Sequence, residues 1–298
     1  KGVEGHDYEI VALSGTSGGS ICALLAWYGL LMDDTNKAVE LLDSFWQENS
    51  AKSLQDRILN DWLLQANRFF GNLGGTPTIS PYLTPASSWA SDQLRSMLER
   101  HVDFGKIEEL VKPSSPMLLI GAADVVSGKF KAFSSKRDRI NVEMVLASAA
   151  LPTLFKAVHT NGGVYWDGLF SQNPPVRELP HAKPDEIWVI QIDPQRRAGE
   201  PTTMPDIMDR RNELAGNLSL YQEIYFIEKI NKWVTKGDLS GTKHRVIDVK
   251  WIKLLWDLDS ESKLNRDPRF IQELMAYGED RAEAFLNRER TEVGGTTG

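Results

Sequence analysis

Tyr8-Glu9-Ile10-Val11-Ala12-Leu13-Ser14-Gly15-Thr16-Ser17-Gly18-Gly19-Ser20 runs straight into Ile21-Cys22-Ala23-Leu24-Leu25-Ala26-Trp27. An apolar strand, a glycine turn and an apolar helix follow one another here, and Ser17 stands in a Gly-x-Ser-x-Gly arrangement. The glycines have a mechanical reason: in so tight a turn, larger side chains beside the serine would collide with the adjoining strand and helix. Such a turn holds the hydroxyl out towards a substrate, and the helix behind it points its N-terminal N–H groups and positive dipole end at the same place. The pattern therefore predicts a nucleophile at Ser17, with Gly15, Gly18 and Gly19 shaping the elbow and Gly18 and Gly19 supplying N–H donors for an oxyanion. A phosphate-binding loop would need Lys after its last glycine, and Gly19 is followed by Ser20.

The 298 residues, 41% of them hydrophobic, suffice for a large buried core. A formal net charge of −7 argues against nucleic acid as a partner, because phosphate binding needs a surplus of Lys and Arg. The single cysteine, Cys22, lies in an apolar helix and reads as an inert thiol; a reducing, cytoplasmic compartment fits. The longest apolar run, Ile21 to Met32, is too short for a bilayer span.

Further along, helical spacing predicts a helix over 35–46 capped by Asp34 or Thr35, and another over 54–70. The latter carries Trp62, Phe69 and Phe70 before a glycine-rich hinge at 71–75. These suggest a helical lid within 50–100. A helix capped by Ser87 or Ser88 should run to Glu99, followed by a buried strand over 116–123 and a half-exposed strand over 128–133 that forms a hairpin with it. A short helix over 142–151 is stopped by Pro152, and a strand over 186–192 ends at Asp193-Pro194. Met204 to Trp233 reads as one long amphipathic helix, with Ile207, Leu214, Leu218, Tyr221, Tyr225 and Ile230 on the stripe expected to cover the sheet. A strand within 244–255 and a helix from Pro268 to about Asn287 complete an α/β alternation. Residues 1–290 read as one domain and 291–298 as a disordered tail.

A serine hydroxyl needs a base. Tyr165-Trp166-Asp167-Gly168-Leu169 places an acid between aromatics and glycine, where partial desolvation would raise its pKa; an Asp-Gly pair is also an ordinary turn signal. A Ser-His-Asp triad is the alternative, with Ser17, Asp167 and either His181 or His244. Against the triad, all five histidines, His6, His101, His159, His181 and His244, read as structural or exposed. The histidines form no His-x-x-x-His pair, and Asp257-x-Asp259-x-Glu261 has Ser262 where a calcium loop requires Gly; neither a metal nor another cofactor is expected.

Three blocks occur in order: Gly15-Thr16-Ser17-Gly18-Gly19, then Ala147-Ser148-Ala149-Ala150-Leu151-Pro152-Thr153-Leu154-Phe155, then Asp167-Gly168 with Asn173-x-Pro175-Val176. Together they resemble the patatin-like phospholipase family over most of 8–176. The resemblance implies a three-layer α/β sandwich with a mainly parallel central sheet, and a Ser17–Asp167 dyad with Gly168 and Asn173 as supporting motif residues. It also implies carboxylic-ester substrates, lipids among them, and transient contact with a membrane surface. The family usually has Gly or Ala where Leu169 stands. Its glycine-rich oxyanion loop and first strand do not precede Ser17 here and are expected upstream of Lys1. A non-catalytic lipid-binding protein with the same fold is the rival reading.

Overall fold

The computed structural model describes residues 8–50, 80–152, 154–170, 172–197, 199–256, 258 and 265–294. The aromatic part of the expected lid (Trp62, Phe69, Phe70 and the glycine hinge), the acidic turn at 257 and 259–262, His6 and the last four residues lie outside them.

The first strand, β1 (Ala12–Thr16), feeds α1 (Gly18–Leu31) through Ser17 alone. Next come α2 (Thr35–Asn49), α3 (Pro85–His101), the single turn α4 (Ile107–Leu110) and the long buried strand β2 (Met117–Asp124). Then follow β3 (Phe130–Ser134), α5 (Val142–Ser148), β4 (Val158–Thr160) and β5 (Gly163–Asp167). The chain closes with β6 (Glu186–Gln191), α6 (Met204–Lys236), β7 (Asp248–Lys253) and α7 (Pro268–Gly294).

The expected α/β fold is the one observed, with a mixed sheet. β1–β2 and β6–β7 are parallel, while β3 and β5 join β2 antiparallel and β4 joins β5 antiparallel. The β2–β3 connection is a short hairpin, which permits only antiparallel pairing. The main core lies between one face of β2, with Leu118, Ile120 and Ala122, and the helices α1, α2, α3 and α5, which bury Leu24, Trp27, Phe45, Leu98 and Met144. Each such fully buried side chain contributes roughly 1.5–3 kcal/mol. Trp27 also donates its indole N–H to Pro116 O at 2.7 Å, tying α1 to the start of β2.

β6 and β7 form a separate two-stranded sheet. Ile187 and Val189 face Leu220, Ile224 and Ile227 of α6. Trp188 on the opposite face meets Phe285 of α7 edge to face, and Lys250 there pairs with Glu186 and Glu289.

Several boundaries differ from the sequence reading. α3 begins at Pro85 with Thr84 as its cap residue, not at Ser87 or Ser88, because proline suits the first helical turn. α5 stops at Ser148, short of Leu151, and α7 continues to Gly294, so 291–294 are helix rather than tail. The largest correction concerns α6. Of the stripe expected to cover the sheet, Ile207, Leu214, Leu218 and Tyr225 are exposed, while Ile230 is half-buried and Tyr221 stacks on Trp251 of β7. The face that packs on the sheet mixes Leu220, Ile224 and Ile227 with buried Asp209, Glu213 and Asn217. Arg197 pairs with Asp209 and Glu213, and Gln191 donates to Asn217 at 2.8 Å. Buried polar groups matched in this way weaken the apolar signal of the inner face, so periodicity pointed outward.

Candidate active site

The site forms where two strands meet end to end. β2 pairs with β3 from Leu119 to Ala123, which occupies one edge of β2. Its other edge pairs with β1 as far as Thr16 opposite Gly121, and then with β5, beginning at Asp167 opposite Ala122. The C-terminal ends of β1 and β5 thus point at each other across neighbouring positions of β2, a spacing of about 3.3 Å along a strand. Both chains must turn away at once, and Ser17 and Asp167 are the residues at the two turns.

Glycine makes the encounter sterically feasible. A methyl group on Gly15 would overlap the Gly19 carbonyl, and one on Gly121 would overlap the Thr16 hydroxyl. On Gly168 it would lie 3.0 Å from the Gly121 carbonyl carbon and 3.1 Å from Thr16 Cγ2. Gly18 and Gly19 differ, since a methyl group on either would enter open space. That space lies at the N-terminus of α1, where the first N–H groups have no partner within the helix.

Ser17 has φ 55° and ψ −130°, a conformation that costs a non-glycine residue of order 1–3 kcal/mol. Its N–H donates to Ser148 O (3.1 Å) and to Ser148 Oγ (3.0 Å), and its carbonyl accepts from Ser20 N–H (2.9 Å) and Ser20 Oγ–H (2.7 Å). Serine before a helix commonly caps it with its side chain. The Ser17 hydroxyl makes no such bond, so the half-buried side chain is not tied to the helix it precedes.

Asp167 is fully buried. Its N–H donates to Ala150 O at 2.9 Å, and its Oδ1 accepts from Leu169 N–H at 2.9 Å. The segment Ser148–Ala150 therefore holds both turns: Ser148 takes the N–H of Ser17, and Ala150 takes that of Asp167. Burial pushes the carboxyl from 3.8 up to about 6, opposed by the Ser17 hydroxyl and the Leu169 N–H. The Ser17 hydroxyl is close enough to favour the ionised Asp167 by hydrogen bonding, yet Oδ2 forms no hydrogen bond of ordinary length and angle. Slack geometry of this kind is common in catalytic pairs before substrate binds.

The stretch after Asp167 is laced to β1 and α6. Ser14 Oγ donates to Pro175 O (2.7 Å) and Thr16 Oγ to Gln172 O (3.1 Å). Glu223 of α6 accepts from Val176 N–H (2.7 Å) and Arg177 N–H (3.0 Å), and its burial pushes that carboxyl up. Asn173 lies against Gly216 of α6.

The described histidines lie elsewhere. His181, largely exposed, lines a cavity of about 420 Å³ with Glu9, Val11 and Met117, at the opposite end of β1 from Ser17. His244 and His159 are exposed. His101, on α3, stacks edge to face on Phe45.

Of the residues singled out in the sequence, Ser17, Gly15, Gly18, Gly19, Asp167 and Gly168 come together. Ser148, Ala150 and Gly121 join them without having been singled out for a role. Gly121 carried a signal, since an isolated glycine inside a buried strand marks a close approach of another chain segment. Ser148 carried none beyond its place in the second block.

A family model described as patatin-like phospholipase matches residues 2–180, more than half of the chain and all of this site. No curated protein matches it.

Proposed function

The chain belongs to the patatin-like phospholipase family, and from that premise we propose that it is a serine acyl-ester hydrolase acting through a Ser17–Asp167 dyad. The observation that carries this reading is the head-on meeting of β1 and β5, which sets a strained serine whose hydroxyl does not cap its own helix beside a buried carboxylate poised at about 6.

In the forward step Asp167 takes the Ser17 hydroxyl proton as Oγ attacks the ester carbonyl carbon. Negative charge develops on the carbonyl oxygen, where the N–H groups of Gly18 and Gly19 and the N-terminus of α1 offer stabilisation. The tetrahedral intermediate then expels the alcohol, which leaves with the proton held by Asp167, and the acyl group stays on Ser17. Water attacks this ester next, giving its proton to Asp167, and the acid departs as Ser17 recovers its proton. A carboxylate near 6 is ionised at neutral pH yet basic enough to accept a proton in the transition state. Lipid esters are the substrate class that the family implies, and a cytoplasmic location remains part of the proposal.

Turnover of a short-chain nitrophenyl ester tests the assignment. Ser17→Ala should lose activity by orders of magnitude while remaining folded, and His159→Ala, His181→Ala and His244→Ala, made singly, should retain most of it. A folded Ser17→Ala protein with wild-type turnover refutes the reading, and a histidine variant as inactive as Ser17→Ala replaces the dyad with a triad. Absence of turnover in the wild type on every ester tried would favour the non-catalytic, lipid-binding alternative.

A further inference from the structure

The outward face of α6 is unusually apolar for a surface. Leu218, Tyr225 and Phe226 are 60%, 56% and 62% exposed, and Met204, Ile207, Leu214 and Trp233 are also exposed. At 100° per residue these fall on one side of the helix, opposite the face buried on β6 and β7. Contiguous exposed apolar surface of this kind marks an interaction site.

Charge on the helix is sorted by the same division. The charged residues along the apolar side are Arg211, Lys229, Lys232 and Lys236, whereas the acids Asp206, Asp209, Glu213, Glu223 and Glu228 lie on its flanks and inner face. That segregation runs against a chain whose net charge is −7. Lys229 Nζ sits 5.2 Å from the centre of the Trp233 ring, joining a cation to an aromatic at the basic end of the stripe. A helix with a Trp- and Leu-bearing apolar side edged by Lys and Arg suits the plane of a lipid surface, with its apolar side chains among acyl chains and its cations at headgroup phosphates.

We propose that the outward face of α6 is a docking surface for anionic phospholipid membranes. Its length, about 50 Å at 1.5 Å per residue, would lie along the surface. The opposite side of α6 packs on the turn that follows Asp167, with Gly216 against Leu169 and Asn173. Docking therefore holds the candidate site about one helix diameter, roughly 10 Å, from the lipid. α6 lies beyond residues 2–180, the stretch that the family model matches.

The test is co-sedimentation of the Ser17→Ala chain, which leaves the lipid intact, with vesicles of phosphatidylcholine alone and of phosphatidylcholine mixed with phosphatidylglycerol. Partition onto the mixed vesicles should exceed that onto phosphatidylcholine by at least about tenfold and weaken with salt. Leu218→Glu combined with Phe226→Glu should lower it at least about tenfold, with unchanged circular dichroism and melting temperature. Should that pair perturb the fold, Leu218→Ser with Phe226→Ser takes its place. Lys229→Glu, Lys232→Glu and Lys236→Glu together should abolish the preference for anionic lipid. No vesicle binding, or binding indifferent to the Leu218 and Phe226 changes, overturns the proposal. So does a concentration-dependent dimer that those changes dissociate in the absence of vesicle binding, which would make the face a contact between two copies. The readout uses no ester turnover, so its failure is separate from failure of the hydrolase reading.

Discussion

Replacing Asp167 by Asn should abolish ester turnover and at the same time stabilise the protein at neutral pH. Burial raises the Asp167 carboxyl from 3.8 to about 6, so between those values the folded state holds a proton that the unfolded chain has released. The stabilising contribution of the neutral carboxyl is therefore complete below about 3.8 and lost as pH rises through about 6. Above that, the folded protein carries a buried charge that costs about 3 kcal/mol, at 1.36 kcal/mol for each tenfold step in acidity. Asn removes this cost. Its side-chain oxygen can still accept from Leu169 N–H, and its NH₂ group, where Oδ2 was, can donate towards Ser17. Urea unfolding of both proteins at pH 4.5, 6 and 8 should show a gap in favour of Asn that widens with pH to about 1–3 kcal/mol. Turnover by the wild type should rise through pH 6, while the variant stays about a hundredfold or more lower throughout. A variant no more stable than wild type at pH 8, or a gap independent of pH, would show that Asp167 is not the desolvated base described.

Gly15→Ala should cost more than about 3 kcal/mol, because the new methyl group has no room beside the Gly19 carbonyl; soluble yield and urea midpoint read this directly. Ser148→Ala removes one of two acceptors for the Ser17 N–H and leaves the carbonyl bond in place. A loss of about 1 kcal/mol is expected, with a fall in kcat larger than any change in KM, measured on the same nitrophenyl ester.

Local chemistry made much of the site legible in the chain alone. Ser17 and its glycines announce themselves because strand, turn and helix are contiguous, and Asp167-Gly168 sits in wording that the resemblance could place. The end-to-end meeting of β1 and β5 on one edge of β2 was not legible, since it depends on register between segments more than a hundred residues apart. The short strands β4 and β5 were likewise passed over, being brief and bounded by Asn161, Gly162 and Gly163. Ser148 was quoted for its block and not for its role, because an acceptor for a backbone N–H has no sequence signature. α6 was placed correctly, but most of its expected inner stripe faces outward: buried Asp209, Glu213 and Asn217, matched by Arg197 and Gln191, disguised the inner side, and exposed Ile207, Leu214, Leu218 and Tyr225 imitated a core stripe.

The central claim is that Ser17 carries the acyl group and Asp167 activates it. Intact-mass and peptide mass spectrometry after brief treatment with a fluorophosphonate tests this most directly, since the reagent bonds preferentially to an activated serine. The account predicts one phosphonyl adduct per chain, mapped to Ser17, forming orders of magnitude more slowly in Asp167→Asn and not at all in Ser17→Ala. An adduct on another residue, or one that forms on Ser17 at the same rate without the Asp167 carboxylate, would contradict it.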